Sequence, residues 1–415
     1  MKSITALSCS FAFAFAATLG AQTDPGPRGG PPRSGQPLRG LSGAELQAFG
    51  AGRGVFNEID NVKDGLGPRF NLDSCGGCHA HPDSGGSSPA VNPQVAVAVK
   101  FGAVNQAPAF IQPNGPVRVV RFKRGANGQP DGGVHNLFVI TGRNDAPAGC
   151  NVQQPDFTQQ NNLAFRIPTP TFGLGLIEAI TDATLRGNLA ANANLKRQLG
   201  IQGSLNTNGN DGTVTRFGWK AQNKSLLLFS GEAYNVEVGV TNELFPQERE
   251  ENAACATNGL PESVGDIGQQ TAFMRFLAPP LPAPATDSTT RGAALFTQVG
   301  CALCHTPSMT TGLAISAALN QQPVNLYSDL ALHRMGQILN DGVTQGNAQG
   351  DMFRTAPLWG LGDRLFLLHD GRAKDLGDAI LQHDSPGSEA HQVIVNYGGL
   401  GAAQKQDLLN FLRGL

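Results

Sequence analysis

Apolar and polar positions change period several times along this chain, and each change marks an element. A mainly apolar run from Ile4 to Leu19 follows Lys2 and ends in Leu19-Gly20-Ala21. A basic start and small residues at the end predict a signal peptide over residues 1–21, cut after Ala21. The run is too short to span a membrane, and no later stretch is long enough. Residues 22–40 set few apolar positions among many Pro and Gly, which predicts a mobile leader. From Leu41 the pattern is helical: Ser42 and Glu45 form a capping box, and Leu46, Phe49 and Val55-Phe56 supply an apolar side.

The period then shortens. Val95–Val99, Val117–Phe122 and Leu137–Ile140 are β-rich runs bounded by Pro-Asn-Gly and Gly-Ala-Asn-Gly turns, so a small antiparallel insertion is predicted over about 91–141. Helical spacing returns over 158–200, with Thr181 to Leu199 stopped by Gly200. Leu226–Phe229 reads as core, and Glu248–Glu251 as a solvated charged face. A helix over Gln269–Leu277 runs into a Pro-rich linker, residues 279–287, the clearest domain boundary. Thr290–Phe296 opens a second domain, 288–415. Leu408, Leu409, Phe411 and Leu412 make the apolar stripe of its closing helix. The first domain is 41–278. The fold class expected is mainly α, two cytochrome c-like domains, the first carrying the β insertion.

Composition narrows the function classes. The formal net charge of the 415 residues is -2, which implies neither a nucleic-acid nor an anionic-membrane partner. Charged residues are 15%, beside 53 glycines and 27 prolines. That suits a turn-rich chain wrapped round cofactors.

The chemistry sits at Cys75-Gly-Gly-Cys78-His79 and again at Cys301-Ala-Leu-Cys304-His305. C-x-x-C-H is the attachment signature of c-type haem: two thiols add across the porphyrin vinyl groups and the histidine ligates the iron. A zinc knuckle would need further Cys or His nearby. His81 could serve the first copy, but nothing comparable follows the second. Of seven cysteines, Cys9 leaves with the signal peptide and four hold haem. Cys150 and Cys255 remain, and in an exported chain they are expected to form a disulfide.

A repeat gives the two haems different tasks. Phe165-Arg166 is followed by Pro170-Thr-Phe-Gly-Leu-Gly175, and Phe353-Arg354 by Pro357-Leu-Trp-Gly-Leu-Gly362. Beyond it, aligned Ala-Ile pairs set His383 opposite Ala183. The second haem is then six-coordinate, through His305 and His383 with Met335 as the rival ligand, and the first, on His79, is open. Arg166 and Arg354 suit haem propionates. Glu178 is the first candidate for moving a proton, with Glu232 a weaker one. Trp219 and Trp359 each read as core, and His369 as a loop residue.

These residues resemble the bacterial di-haem cytochrome c peroxidase and MauG superfamily, and most closely its di-haem oxidoredoxin family of thiol oxidoreductases. The resemblance rests on Gly67-Pro-Arg-Phe-Asn71, Gly173–Ile180, Arg216-Phe-Gly-Trp-Lys-Ala221, Tyr327-Ser-Asp-Leu330 with His333, and His369-Asp-Gly-Arg372. It implies that electrons enter at the C-terminal haem, whose distal ligand falls at His383, and that the N-terminal haem is peroxidatic. In that superfamily a calcium ion often sits between the haems. The peroxidases' distal Gln and Glu pair has no clean match in this first domain.

The expected function is therefore a periplasmic or secreted di-haem c-type oxidoreductase. It would reduce peroxide at the N-terminal haem with electrons from a small cytochrome or cupredoxin. The alternatives are a non-enzymatic di-haem electron carrier, or MauG-like or rubber-oxygenase-like oxidation of another substrate at the open haem.

Overall fold

The structure is a computed structural model that describes residues 22–29, 33–246, 253–255 and 264–415. The expected signal peptide and the charged Glu248–Glu251 lie outside the described residues. Two helix pairs organise the rest. In the N-terminal half, helix Gly43–Asn57 packs on helix Val264–Phe276. In the C-terminal half, helix Asp287–Val299 packs on helix Ala402–Gly414. Ser42 accepts from the Glu45 amide while the Glu45 carboxylate reaches back to the Ser42 amide, as the capping box predicts.

Both crossings are built alike. Gly52 lies under the backbone carbonyl of Gln269, and Gly292 under that of Asp407, so close that a Cβ at either would collide with backbone. One turn on from each glycine stands a phenylalanine. Phe56 packs on Phe273 at 4.8 Å between ring centroids, and Phe296 on Phe411 at 5.5 Å. The same phenylalanines reach the motif histidines, Phe56 to His79 at 5.9 Å and Phe296 to His305 at 6.3 Å. Helix packing thus sets the place of each histidine.

The Pro-x-aromatic-Gly-Leu-Gly repeat docks on the end of its own closing helix. The Gly173 amide donates to the Leu277 carbonyl at 3.0 Å and the Gly360 amide to that of Leu415 at 3.1 Å. Both glycines are left-handed, at φ 66° and 71°, which favours Gly. Gly175 and Gly362 touch the carbonyls of Arg275 and Arg413.

Among the described residues helix predominates, and the sheets are small. Strand Val119–Phe122 is central in a three-stranded antiparallel sheet, flanked by Val134–His135 and Leu163–Arg166. Arg69–Phe70 pairs with Phe138–Val139, and Leu332–Arg334 with Met352–Arg354. Two sequence expectations fail here. Val95–Val99 is no strand: Gln94–Val97 is a helical turn, started by the Gln94 amide bonding to Asn92. Moreover, the sheet recruits Leu163–Arg166 from beyond the expected insertion. The predicted helix Thr181–Leu199 is two, Asp182–Ala190 and Ala193–Gln198, broken at left-handed Asn192.

The leader is also not free. Asp24 takes a two-pronged pair from Arg413, both almost wholly buried, and accepts from the Leu376 amide. Arg28 pairs with Asp363 in the same way. Composition hid this, because a few charges with fixed partners replaced the missing apolar anchors. Cys150 and Cys255 form the expected disulfide. Among the described residues no helix is long and apolar enough to cross a membrane.

The crossing yields a test within one helix. Gly52→Ala should lower unfolding free energy by about 1–3 kcal/mol in denaturant titration, because backbone must move. Gly50→Ala, with open space around it, should stabilise by up to about 1 kcal/mol through helix propensity. Equal effects at the two positions would contradict the close crossing.

Candidate functional site

Two cavities lie where the motifs are. The N-terminal one is lined by Cys75, Cys78 and His79, by Phe56, Gln270 and Met274 of the helix pair, and by Val119, Arg121 and Arg166 of the sheet. The C-terminal one is lined by Cys301, Cys304 and His305, by Phe296, Leu408 and Leu412, and by Met335, Arg354, Arg364, His369 and His383. The four motif cysteines form no disulfide.

The motif histidines are prepared as neutral ligands. The Nδ1 of His79 lies 2.9 Å from the Gly86 carbonyl, and that of His305 lies 3.0 Å from the Tyr327 carbonyl. Such a bond fixes the proton on Nδ1 and leaves Nε2 for iron. Burial pushes both imidazoles down to about 4.

His383 has the same preparation. Its Nδ1 donates to the Ala379 carbonyl at 2.7 Å, one turn back, and burial lowers its pKa. His305 and His383 line the same cavity, and after burial His383 is the largest influence lowering His305. Met335 lies on the wall with Trp219, Leu339 and Phe353. His333 is not available to iron. Its Nε2 is 2.9 Å from Asp329 and its Nδ1 2.8 Å from Glu389. Burial opposes its charge, but Asp329 first, and then the Cys304 sulfur, raise its pKa well above the ordinary value.

The N-terminal cavity differs. His79 is the only histidine lining it among the described residues. Met274 corresponds to Leu412 on the other closing helix, each three residues before the carbonyl on which the repeat docks, and both are apolar wall. The sequence comparison of His383 with Ala183 does not carry over, since Ala183 is exposed on helix Asp182–Ala190 and lines neither cavity. The asymmetry it suggested stands on the lining residues instead.

Glu178 lies elsewhere too. One oxygen accepts from the Leu226 amide and the other from Arg275, at 2.9 and 2.8 Å, and it lines neither cavity. Glu232 is engaged by the Asn223 amide group. The acid on the cavity wall is Glu237. Its carboxyl has no hydrogen-bond partner among the described residues, and burial, with Glu232 next, pushes it up to about 7. It lies within a five-residue π turn, Tyr234–Val238, that extends helix Leu226–Ala233. Such π turns often mark functional sites, but no sequence motif flagged this one.

Each cavity also holds two arginines: after burial, Arg166 lowers Arg121 in one and Arg364 lowers Arg354 in the other. Arg121 and Arg166 share one face of the sheet, and the Nε of each is buried without a partner. Arg166 also pairs with Asp341 and Gln345. Arg354 and Arg364 meet no carboxylate among the described residues, and burial pushes both down to about 10. The buried Nε of Arg364 is likewise unpaired. Paired buried cations with open N–H groups need an anion. The two propionates of a haem meet that need, so the residues present fit haem in both cavities. Arg166 and Arg354 were expected there, whereas Arg121 and Arg364 were not.

Trp219 lines both cavities and so stands between them. Its indole N–H donates to the Ile167 carbonyl at 2.9 Å. Trp359, by contrast, packs in the main apolar core. His369 lies edge-on to Trp219 and stacks on Phe353 at 4.3 Å. Cys304, Asp329 and His333 are the one candidate metal cluster among the described residues. A thiol and an ion-paired histidine do not suit calcium, which takes six to eight oxygens.

The profile of the family described as "Di-haem oxidoreductase, putative peroxidase" matches residues 119–415. Among solved structures, hydrazine synthase of Kuenenia stuttgartiensis is similar over 99% of this chain and 100% of that one, at 14% identity and TM-score 0.36. The diheme peroxidase BthA of Burkholderia thailandensis is similar over 89% and 86%, at 13% identity and TM-score 0.38. A MauG-like protein associated with microbial copper homeostasis is similar over 64% and 95%, at 19% identity and TM-score 0.31. No curated protein matches.

Removing one arginine should act on one centre only. Arg364→Met takes positive charge from the C-terminal cavity, so the potential of that centre should move negative while the other stays fixed. Spectroelectrochemical titration reads both. An unmoved C-terminal potential would contradict the assignment.

Proposed function

Because this chain belongs to the di-haem oxidoreductase and peroxidase family, we propose that it is an exported peroxidase with two covalent c-type haems, one for electron entry and one for peroxide. The haems are held by Cys75, Cys78 and His79, and by Cys301, Cys304 and His305. The observation that carries this reading is the unequal lining. His305 and His383 both present a free Nε2 to one cavity, while His79 faces the other with Glu237. A doubly ligated iron passes electrons, and an iron with an open side binds and reduces a small oxidant.

The protein's own part is positioning and proton transfer. Reduction of one hydrogen peroxide takes up two electrons and two protons and releases two waters. Glu237, ionised, accepts the proton of the nearer peroxide oxygen and returns it to the farther one as the O–O bond breaks. Arg121 and Arg166 neutralise the propionates. Electrons come from a small cytochrome or cupredoxin, enter at the C-terminal centre and cross beside Trp219. The Cys150–Cys255 disulfide supports an oxidising, periplasmic or secreted setting. No step is assigned to calcium.

The test is steady-state peroxide turnover with a reduced cytochrome donor. Glu237 must be ionised to act as base, and its ionised fraction grows as pH rises through about 7. The kcat/KM for peroxide should therefore climb across that range. Glu237→Gln should lose the climb and about 100-fold or more of the rate. A wild type that oxidises no donor with peroxide would favour a plain electron carrier. A Gln variant with the full rate and the same pH limb would remove Glu237 from the mechanism.

A further inference from the structure

Lys220 follows the tryptophan that stands between the cavities, and its side chain is wholly buried. The two residues form the tip of a hairpin. Phe217 and Asn223 bridge its stem, and the Ala221 amide closes the turn on the Gly218 carbonyl at 3.2 Å. Trp219 and Lys220 are the two central residues of that turn. Ala221 is held at φ 49°, a conformation an alanine adopts only when its surroundings enforce it.

The enforcing contacts come from the C-terminal half. An ammonium has three N–H groups, and three carbonyls take them: Gln349 at 2.8 Å, Gly350 at 3.1 Å and Met352 at 2.9 Å. Asp341 adds a carboxylate oxygen at 3.2 Å, and the Phe353 ring lies 4.0 Å from Nζ. Asp341 gives its other oxygen to Arg166, at 2.7 Å, on the wall of the N-terminal cavity. On the other side, Arg354 of the C-terminal cavity donates its amide to the Trp219 carbonyl and its Nε to the Gly218 carbonyl, both at 2.9 Å. The tryptophan is therefore gripped through its neighbours by an arginine of each cavity, with the lysine as the central fixed charge.

We propose that Lys220 is a positioning residue for electron passage between the two centres, holding Trp219 in place through the oxygen cage of Asp341, Gln349, Gly350 and Met352. The step it serves moves one electron from the reduced C-terminal centre to the oxidised N-terminal centre, with no bond made or broken and no proton moved. This rests on the reading above for the two haem centres, one with an open iron, and for electrons crossing beside Trp219. It needs no peroxide chemistry.

The experiment measures re-equilibration between the centres in half-reduced protein after flash photolysis of bound carbon monoxide, with no peroxide present. Lys220→Met keeps the length and apolar stem and removes the charge. It should retain both haems and both optical spectra while slowing re-equilibration about tenfold. Trp219→Phe should slow it comparably, and the double variant should be no slower than Trp219→Phe, because the lysine acts through the tryptophan. Should Lys220→Met lose haem, Asp341→Asn, which leaves the three carbonyl bonds in place, is read by the same criterion in both backgrounds. A Lys220→Met rate within about twofold of wild type beside a slow Trp219→Phe would overturn the inference alone, as would slowing that simply multiplies in the double variant. An unchanged Trp219→Phe rate would overturn the inference together with the tryptophan route. Loss of peroxide turnover in the wild type would overturn the proposed activity and leave this result readable.

Discussion

The absence of a side chain at two glycines is the constraint from which the rest follows. Gly52 and Gly292 let an opening helix lie against the backbone of a closing helix. Only at that distance do Phe56 and Phe296 meet both the closing helix and the motif histidine. The helix pairs are rigid platforms, and the histidines hang from them with one nitrogen tied to a carbonyl. The same frame recurs in the docking of Gly173 on Leu277 and of Gly360 on Leu415. The two halves are thus built to one plan, and function comes from where they depart from it.

Those departures are few. One cavity gains His383, delivered by a short helix whose first amide is held by Asp24 of the leader. The other gains Glu237, an acid that burial pushes up to about 7, within a π turn. Paired arginines in both cavities are unfavourable without a bound anion, so the protein stores its charge for the cofactors. Between the cavities, a hairpin from the N-terminal half carries Trp219 and is locked by groups from the C-terminal half. The proposed haem binding, the proposed electron route and the contact between the halves therefore share residues, Arg166 and Arg354 above all.

Much of this was legible in the sequence where neighbours in space are neighbours in the chain. The C-x-x-C-H motifs, the Phe-Arg to Gly-Leu-Gly repeat and the capping box at Ser42 are of that kind. The leftover pair Cys150 and Cys255 was readable by elimination. What stayed hidden depends on distant partners. The glycine crossings join Gly52 to Gln269 and Gly292 to Asp407, and no local pattern marks them among 53 glycines. Glu178 looked functional in its apolar stretch, but Arg275 and the Leu226 amide claim it from afar. Glu237 looked ordinary, since its burial is made by the cavity. Val95–Val99 has β-rich residues, yet Asn92 starts a helical turn there and tertiary context overrides propensity. The leader was read by composition, which cannot see that Asp24 and Arg28 find buried partners.

The central claim is that the two irons are unequal, and electron paramagnetic resonance of the fully oxidised protein tests it most directly. One low-spin ferric signal is expected, from the centre between His305 and His383, and one high-spin signal, from the centre on His79. Replacing His383 by alanine should turn the low-spin signal into a second high-spin one. Two low-spin signals in the wild type, persisting when one centre is reduced, would contradict it.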